Sequence, residues 1–182
     1  MKRNFEKRKQ AQTFEVGNVE VVPLFDPPHL IKGIRNNLLT KDLTINCDEK
    51  EKRITSWDVI KTAWIMDKKL NTIRPQLKKI TKEHIEEDKI KKMRVKHATQ
   101  VLSGTLKIDT EEGITTAETV LFFNDLFDSV NGSEVSKNDL RSPVTEDSAH
   151  HAFWTDAKNR LRKMCYVHKV TGESISVPSL KN

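Results

Sequence analysis

Two short segments carry side chains whose types and spacing could support chemistry, and Asp26 belongs to the first. It directly follows the apolar, β-branched residues 19–25, and Pro27 then begins a helical pattern, which predicts a carboxylate at a strand-to-helix turn. A carboxylate fixed there could bind Mg²⁺, which needs only a few well-placed oxygen ligands. The alternative is that Asp26 only caps the helix.

The second segment contains Phe127, Asp128 and Asn131 near the end of a predicted helix. Asp128 and Asn131 are three residues apart, so they share a helix face. Guanine presents two N–H donors on one edge, which a single carboxylate can accept together, and its ring needs a flat apolar partner. The alternative is that Phe127 belongs to the core with Phe123, while Asp128 faces solvent.

The composition indicates a basic, mainly helical protein. The 182 residues suit one compact domain or a domain with part of another, and the net charge of +6 favours an anionic partner such as nucleic acid or nucleotide phosphate. Cys47 and Cys165 lack the spacing of zinc ligands, and we expect two free thiols in a reducing compartment. The sequence has no glycine-rich phosphate loop, no HExxH motif and no apolar run long enough to span a membrane.

Hydrophobic periodicity predicts helices over most of the chain, with one strand near the N-terminus. Ser56 is placed to cap a helix that carries Trp57, Ile60 and Trp64, and Gly132 is placed to end another. The predicted elements are a disordered basic tail at 1–18, a strand at 19–25, helices at 27–39, from 57, after 78–81, at 88–102, at 115–131 and at 148–167, a loop or strand pair at 40–55, a polar linker at 133–147 and an irregular tail at 171–182.

Several separated blocks resemble, in the same order, the P-element and THAP-type DNA transposases. The blocks are FDPPHLIKGIRNNLL from residue 25, TSWD from residue 55, KIKKMRVKHATQVLS from residue 89, LFFNDLFDSVNGS from residue 121 and LRSPVTEDSAHHAFW from residue 140. The resemblance implies a strand–turn–helix remnant of an RNase H-like fold at residues 19–39. It also implies a helical GTP-binding insertion domain at residues 40–170.

The resemblance also implies roles for individual residues. Asp26 looks like the second metal-binding carboxylate of the catalytic triad, which binds Mg²⁺ in the complete enzyme. The nucleotide-binding residues that it implies are Lys79 (or Lys78) at the phosphates, Arg94 and Val95 nearby, Phe127 stacked on guanine, Asp128 at the base edge and Asn131 assisting. If these roles hold, Asp128 should face an open cleft, unpaired with any basic side chain, and Phe127 should lie beside that cleft.

In this family GTP is expected to act as a cofactor that is not hydrolysed and that helps to position transposon DNA in the nucleus. The chain has no zinc-finger ligands before Asp26, and the first and third catalytic carboxylates have no counterpart here. We therefore expect no transposase or nuclease activity from this chain. The alternative is a degenerate or domesticated remnant that binds DNA or protein through its basic face and binds no nucleotide. The oligomeric state is left open.

Overall fold

The computed structural model describes residues 14–21, 26–45, 52–71, 73, 75–103, 110–132 and 139–176. The described part of the chain is mainly α, as predicted. Its helices are α1 (Pro27–Thr40), α2 (Trp57–Leu70), α3 (Lys82–Ile85), α4 (Val95–Val101), α5 (Glu111–Asn131) and α6 (His150–Lys163), with a 3-10 turn at Asp139–Arg141. Its strands are β1 (Phe14–Val16), β2 (Val19–Val21), β3 (Asp42–Thr44), β4 (Ile54–Thr55), β5 (Cys165–Val167) and β6 (Ser174–Ile175). None of the described helices is long and apolar enough to cross a membrane.

Strands β1 and β2 form an antiparallel hairpin ahead of α1. The turn needs Gly17, whose φ of 66° lies in the left-handed region that other residues rarely adopt. The prediction of a disordered tail at 1–18 was therefore wrong at residues 14–16, because a strand pairs there. The predicted strand at 19–25 is observed as Val19–Val21, and residues 22–25 lie outside the described part.

The other four strands form an antiparallel sheet in the order β4-β3-β5-β6. Leu43 of β3 pairs with Thr55 on one side and with Tyr166 on the other. The sheet therefore joins the segment before α2 to the segment after α6. The expectation of a helix to residue 167 was wrong at residues 164–167, and that of an irregular tail at 171–182 was wrong at residues 174–175, which form β6. The backbone is already extended at Met164, and the segment 165–167 is stabilised by pairing with a strand more than 100 residues away.

The expectation of two free thiols was also wrong, because Cys165 of β5 is disulfide-bonded. The thiol expectation was based on spacing alone, and spacing carries no information about which residues a sheet brings together.

Helix α5 is the centre of the core and contacts α1, α2, α6 and β4. Against it, α2 fixes the segment that precedes α4 through two buried tryptophans. The indole N–H of Trp57 donates to the carbonyl of Ile85 at 3.4 Å, and that of Trp64 donates to the carbonyl of Ile80 at 3.1 Å. The buried apolar side chains of this core include Ile31, Leu38, Trp57, Ile60, Trp64, Ile85, Leu102, Val120, Phe122 and Phe123.

Two predicted helix starts were wrong, at Asp88 and at Thr115. Residues 86–94 form turns, held in place by Arg35 of α1, which is fully buried and donates to the carbonyl of Lys92 at 2.9 Å. Helix α5 begins at Glu111, where the Thr110 hydroxyl accepts from the N–H of Gly113. The predicted cap at Ser56 and the predicted end before Gly132 are confirmed.

Two stacked histidines predict that acid destabilises the packing of α3 on α4. The rings of His84 and His97 are both buried, and their centroids are 4.2 Å apart. Burial, followed by the proximity of His84 and Arg94, lowers the pKa of His97, and Glu83 acts in the opposite direction. The unfolded chain therefore binds a proton on His97 more tightly than the folded chain does. The contribution of the neutral His97 ring to folding stability is complete above the unfolded pKa of about 6.5, and it declines as the pH falls below that value.

The measurement is the urea-unfolding free energy at pH 7.5 and at pH 5.5. We expect the wild type to lose stability at the lower pH, and His97→Gln to lose less. The control is His151→Gln, which changes an exposed imidazole and should preserve the wild-type pH dependence. Equal pH dependence in His97→Gln and the wild type would show that this ring does not titrate differently on folding.

Candidate functional site

A cleft of about 420 Å³ lies between residues 76–80, α4 and α5. Its lining includes the exposed lysines Lys78 and Lys79, the amide of Gln100, the amide of Asn124 and Arg141 from the 3-10 turn. Three cationic side chains and three amides, the third from Gln76, line this cavity, which suits an anionic ligand that also carries hydrogen-bonding groups.

Asp128 is not among the residues that line this cleft, but it is bonded to two of them. Its Oδ2 accepts from Nδ2 of Asn124 at 3.1 Å and from Nε of Arg141 at 2.8 Å. Of the predicted site residues, Lys78 and Lys79 line the cleft, and Asp128 is connected to it only through Asn124 and Arg141. The expectation of a freely presented acid was wrong, because Asp128 is only 12% exposed and is paired with a basic side chain.

Phe127 faces a different part of the molecule. It is half-buried and lines an apolar groove of about 40 Å³ between α1 and α5, together with Leu30, Ile34 and Val130. Consecutive helical residues point in directions about 100° apart, so the ring and the neighbouring carboxylate occupy different faces of α5. The expected adjacency of Phe127 to the cleft is not observed, and the groove is too small for a purine ring.

Arg94, Val95 and Asn131 also lie outside the cleft lining. Val95 begins α4 and packs against the core, and the preceding Arg94 is exposed. Asn131 is the last residue of α5, one turn beyond Asp128, and is exposed. Their roles stay predictions.

Asp26 occupies the N-cap position of α1, but its side chain makes no capping hydrogen bond. Its carboxylate is exposed and bonds instead to Nδ1 of His29. Among the described residues, no cluster of three or more histidine, cysteine, aspartate or glutamate side chains has metal-binding geometry. Asp26 and its described neighbours therefore do not fit Mg²⁺ by themselves.

Sequence reasoning missed Asp67, which holds the segment that carries the two lysines. Its carboxylate is buried and accepts from Nδ2 of Asn71 and from the backbone N–H groups of Gln76 and Leu77, all at 2.9 Å. Burial alone would raise the pKa of Asp67, but these hydrogen bonds more than offset it and hold the pKa below its usual range. Asp67 thus fixes the backbone immediately before Lys78.

Replacing Asp67 by asparagine should lower the free energy of unfolding by about 2 kcal/mol, since charge-assisted hydrogen bonds to two backbone donors are weakened. The folded-state pKa is lowered, so this contribution is present above the unfolded pKa and is lost as the pH falls through the folded value. The difference between wild type and Asp67→Asn should therefore shrink in acid.

Urea unfolding of the two proteins at pH 7 and at pH 3 measures both effects. Asp58→Asn is the control on the same helix, because Asp58 is exposed and pairs with Lys169 at the surface. A loss in Asp67→Asn no larger than that in Asp58→Asn would contradict the positioning role.

Comparisons with known proteins agree with this architecture. A sequence family described as "TNP-like, GTP-binding insertion domain" matches residues 28–143. The transposable element P transposase of Drosophila melanogaster is 30% identical over 131 residues, which is 66% of this chain and 16% of that protein. The solved Drosophila P element transposase strand transfer complex superposes with a TM-score of 0.63 at 27% identity, over 88% of this chain and 36% of the solved chain.

The fold and these matches define the class as a helical insertion domain of P-element-like transposases. Because the family match covers more than half of its length, this chain belongs to the TNP-like, GTP-binding insertion domain family. The chain spans only a minor part of the full-length relatives that it resembles.

Proposed function

We propose that this chain binds a guanine nucleotide in the cleft between residues 76–80, α4 and α5. In this proposal the nucleotide is a cofactor that is not hydrolysed and that helps to position transposon DNA in the nucleus. The observation that carries it is a cavity lined by Lys78 and Lys79, in which two other lining residues, Asn124 and Arg141, bond to the Asp128 carboxylate. The cavity lies within the segment matched by the family.

The lysines and the carboxylate suit opposite ends of the nucleotide. Lys79, with Lys78 beside it, supplies positive charge for the phosphates without a glycine-rich loop. Asp128 accepts the N–H donors of the guanine edge, and Asn124 holds its carboxylate from one turn earlier on the same helix. Adenine lacks this pair of donors, so the carboxylate accounts for selectivity as well as affinity.

Phe127, Arg94, Val95 and Asn131 keep their proposed roles around the nucleotide. Among these four residues, Phe127 would have to move furthest from its observed position to take its role, since its ring faces the groove against α1. A base stacked on Phe127 would require α5 and α1 to separate locally, or the ring to rotate around the helix surface.

No strand cleavage is proposed for this chain. In the complete family enzyme, Mg²⁺ would activate a nucleophile and stabilise the charge on phosphoryl oxygens. Asp26 offers one exposed carboxylate for such an ion, and its described neighbour His29 already bonds to that carboxylate.

DNA contacts of the basic surface would weaken steeply with salt, because phosphate binding releases counterions.

The second candidate function is a DNA- or protein-interaction module that binds no nucleotide. The observation that favours it is the ion pair between Arg141 and Asp128, which engages the proposed base acceptor. The net charge of +6 is compatible with both functions.

Calorimetric titration of the chain with GTP, ATP and XTP discriminates the two functions. We expect GTP to bind at least about tenfold more tightly than ATP, because adenine has no pair of neighbouring N–H donors to offer the Asp128 carboxylate. Indifference to all three nucleotides, together with salt-sensitive binding of DNA, would instead support the interaction module.

A further inference from the structure

The Oδ2 oxygen of Asp128 is already saturated. A carboxylate oxygen offers about two lone-pair positions, and here both are used, by Asn124 at 3.1 Å and by Arg141 at 2.8 Å. Within the described residues, no hydrogen bond reaches Oδ1. Asp128 therefore presents one available oxygen.

A guanine edge needs two oxygens, since its two neighbouring N–H donors bond to the two carboxylate oxygens side by side. Asn124 lies on the same helix as Asp128 and can keep its bond while one position on Oδ2 becomes available. Arg141 comes from a separate turn, and its guanidinium occupies the remaining position. One of these two bonds must break, and we assign the bond to Arg141, because its side chain is 52% exposed and comes from a separate turn.

We propose that the Arg141–Asp128 ion pair is autoinhibitory: Arg141 competes with the guanine edge for Asp128 and must be displaced when the nucleotide binds. This inference rests on the proposed guanine-nucleotide function. It assigns Arg141 a regulatory role at that site, opposing the base and not contacting it.

The backbone that carries Arg141 is held firmly. A Cβ added to Gly132 would lie 2.4 Å from the Arg141 carbonyl oxygen, so the end of α5 and the 3-10 turn are packed with no space between them. The buried ring of His150 adds a second restraint, with Nε2 donating to the Leu140 carbonyl at 3.2 Å. These contacts keep the guanidinium within reach of Asp128.

The side chain of Arg141, in contrast, can leave without unfolding the turn. It is 52% exposed, whereas that of Asp128 is 12% exposed. Rotation of Arg141 into solvent breaks one ion pair and leaves no buried cation. An ion pair of this kind holds the site closed most of the time. The apparent affinity for the nucleotide is then the intrinsic affinity multiplied by the fraction of molecules that are open.

The test compares Arg141→Ala with the wild type in GTP titrations at constant ionic strength. We expect Arg141→Ala to bind GTP about three- to tenfold more tightly, since the competing ion pair is removed. Arg160→Ala is the matched control, because it removes the same charge and an exposed ion pair to Asp156 at 2.7 Å, away from the cleft. This control should bind GTP as the wild type does.

The outcomes distinguish the autoinhibitory ion pair from the proposed guanine-nucleotide binding on which it rests. Tighter binding by Arg141→Ala alone supports the autoinhibitory ion pair. If the wild type binds GTP and Arg141→Ala binds it equally or more weakly, the inference is overturned, and weaker binding identifies Arg141 as a ligand contact. If neither protein binds GTP preferentially, the proposed function fails and this inference fails with it.

A second measurement does not depend on a substitution. The Nε–H resonance of Arg141 in the ¹⁵N-labelled wild-type chain should be protected from water exchange without nucleotide, and saturating GTP should abolish this protection. ATP at the same concentration should leave it in place. Protection that persists with GTP bound would overturn the proposal.

Discussion

Replacing Asp128 by alanine removes preferential GTP binding, and replacing it by asparagine transfers the preference to XTP. The alanine variant should weaken GTP binding by at least about a hundredfold, because two donors of the base would be desolvated without a partner. Asparagine can accept from N1–H with its carbonyl, and its amide can donate to the C2 carbonyl that xanthine carries in place of the guanine amino group. Titration of both variants with GTP and XTP measures the effect.

Asp125→Asn is the control for this pair of variants. Asp125 lies three residues earlier on α5, is half-buried, and its Oδ1 accepts from the same Asn124 amide at 3.3 Å. It should leave nucleotide preference unchanged. An Asp128→Asn variant that keeps the GTP preference of the wild type would show that this carboxylate does not accept from the base.

The largest expected effect on stability comes from Trp57→Ala. Trp57 is fully buried at the start of α2, and its indole N–H donates to the carbonyl of Ile85. Truncation leaves a cavity and an unpaired carbonyl, so we expect the free energy of unfolding to fall by about 4 kcal/mol. Since domains are stable by only about 5–15 kcal/mol, the variant should be close to unfolding at physiological temperature.

Chemical denaturation of wild type and variant at 25 °C checks this value. Ile73→Ala is the matched control, because Ile73 is 94% exposed and should contribute almost nothing. If Trp57→Ala were as stable as the control, the core placement of this ring would be wrong.

Local sequence signals predicted the parts of the fold that local interactions decide. Ser56 accepts from the N–H of Asp58 and begins α2, and α5 ends at Asn131, directly before Gly132. A capping hydroxyl and a glycine act within a few residues, so they can be recognised from the sequence alone.

Long-range pairing could not be predicted in this way. Strand β5 was assigned to a helix, because residues 165–167 form a strand only through β3, which lies far away in the sequence. The segment before α4 was likewise assigned to a helix, although Arg35 holds it as turns through the carbonyl of Lys92. In both cases tertiary contacts override the local pattern.

The candidate site was predictable only in part, for the same reason. The resemblance singled out Lys79 and Asp128. The structure places Lys79 in the cleft lining and bonds Asp128 to two other lining residues. Asn124 could have been found, because it lies one helical turn before Asp128. Arg141 and Asp67 reach the site through a separate turn and a loop, and neither has a sequence signal that identifies its partner.

A backbone amide NMR titration of the ¹⁵N-labelled chain with GTP tests the location of the proposed guanine-nucleotide site most directly. We predict that GTP shifts resonances of residues 76–80, Gln100, Asn124, Asp128 and Arg141, and that ATP shifts those of Asn124 and Asp128 far less. The opposite cleft between α5 and α6, of about 570 Å³ and lined by Phe153 and Arg160, is the natural competitor. Shifts confined to that cleft, or no shifts at saturating GTP, would contradict the account.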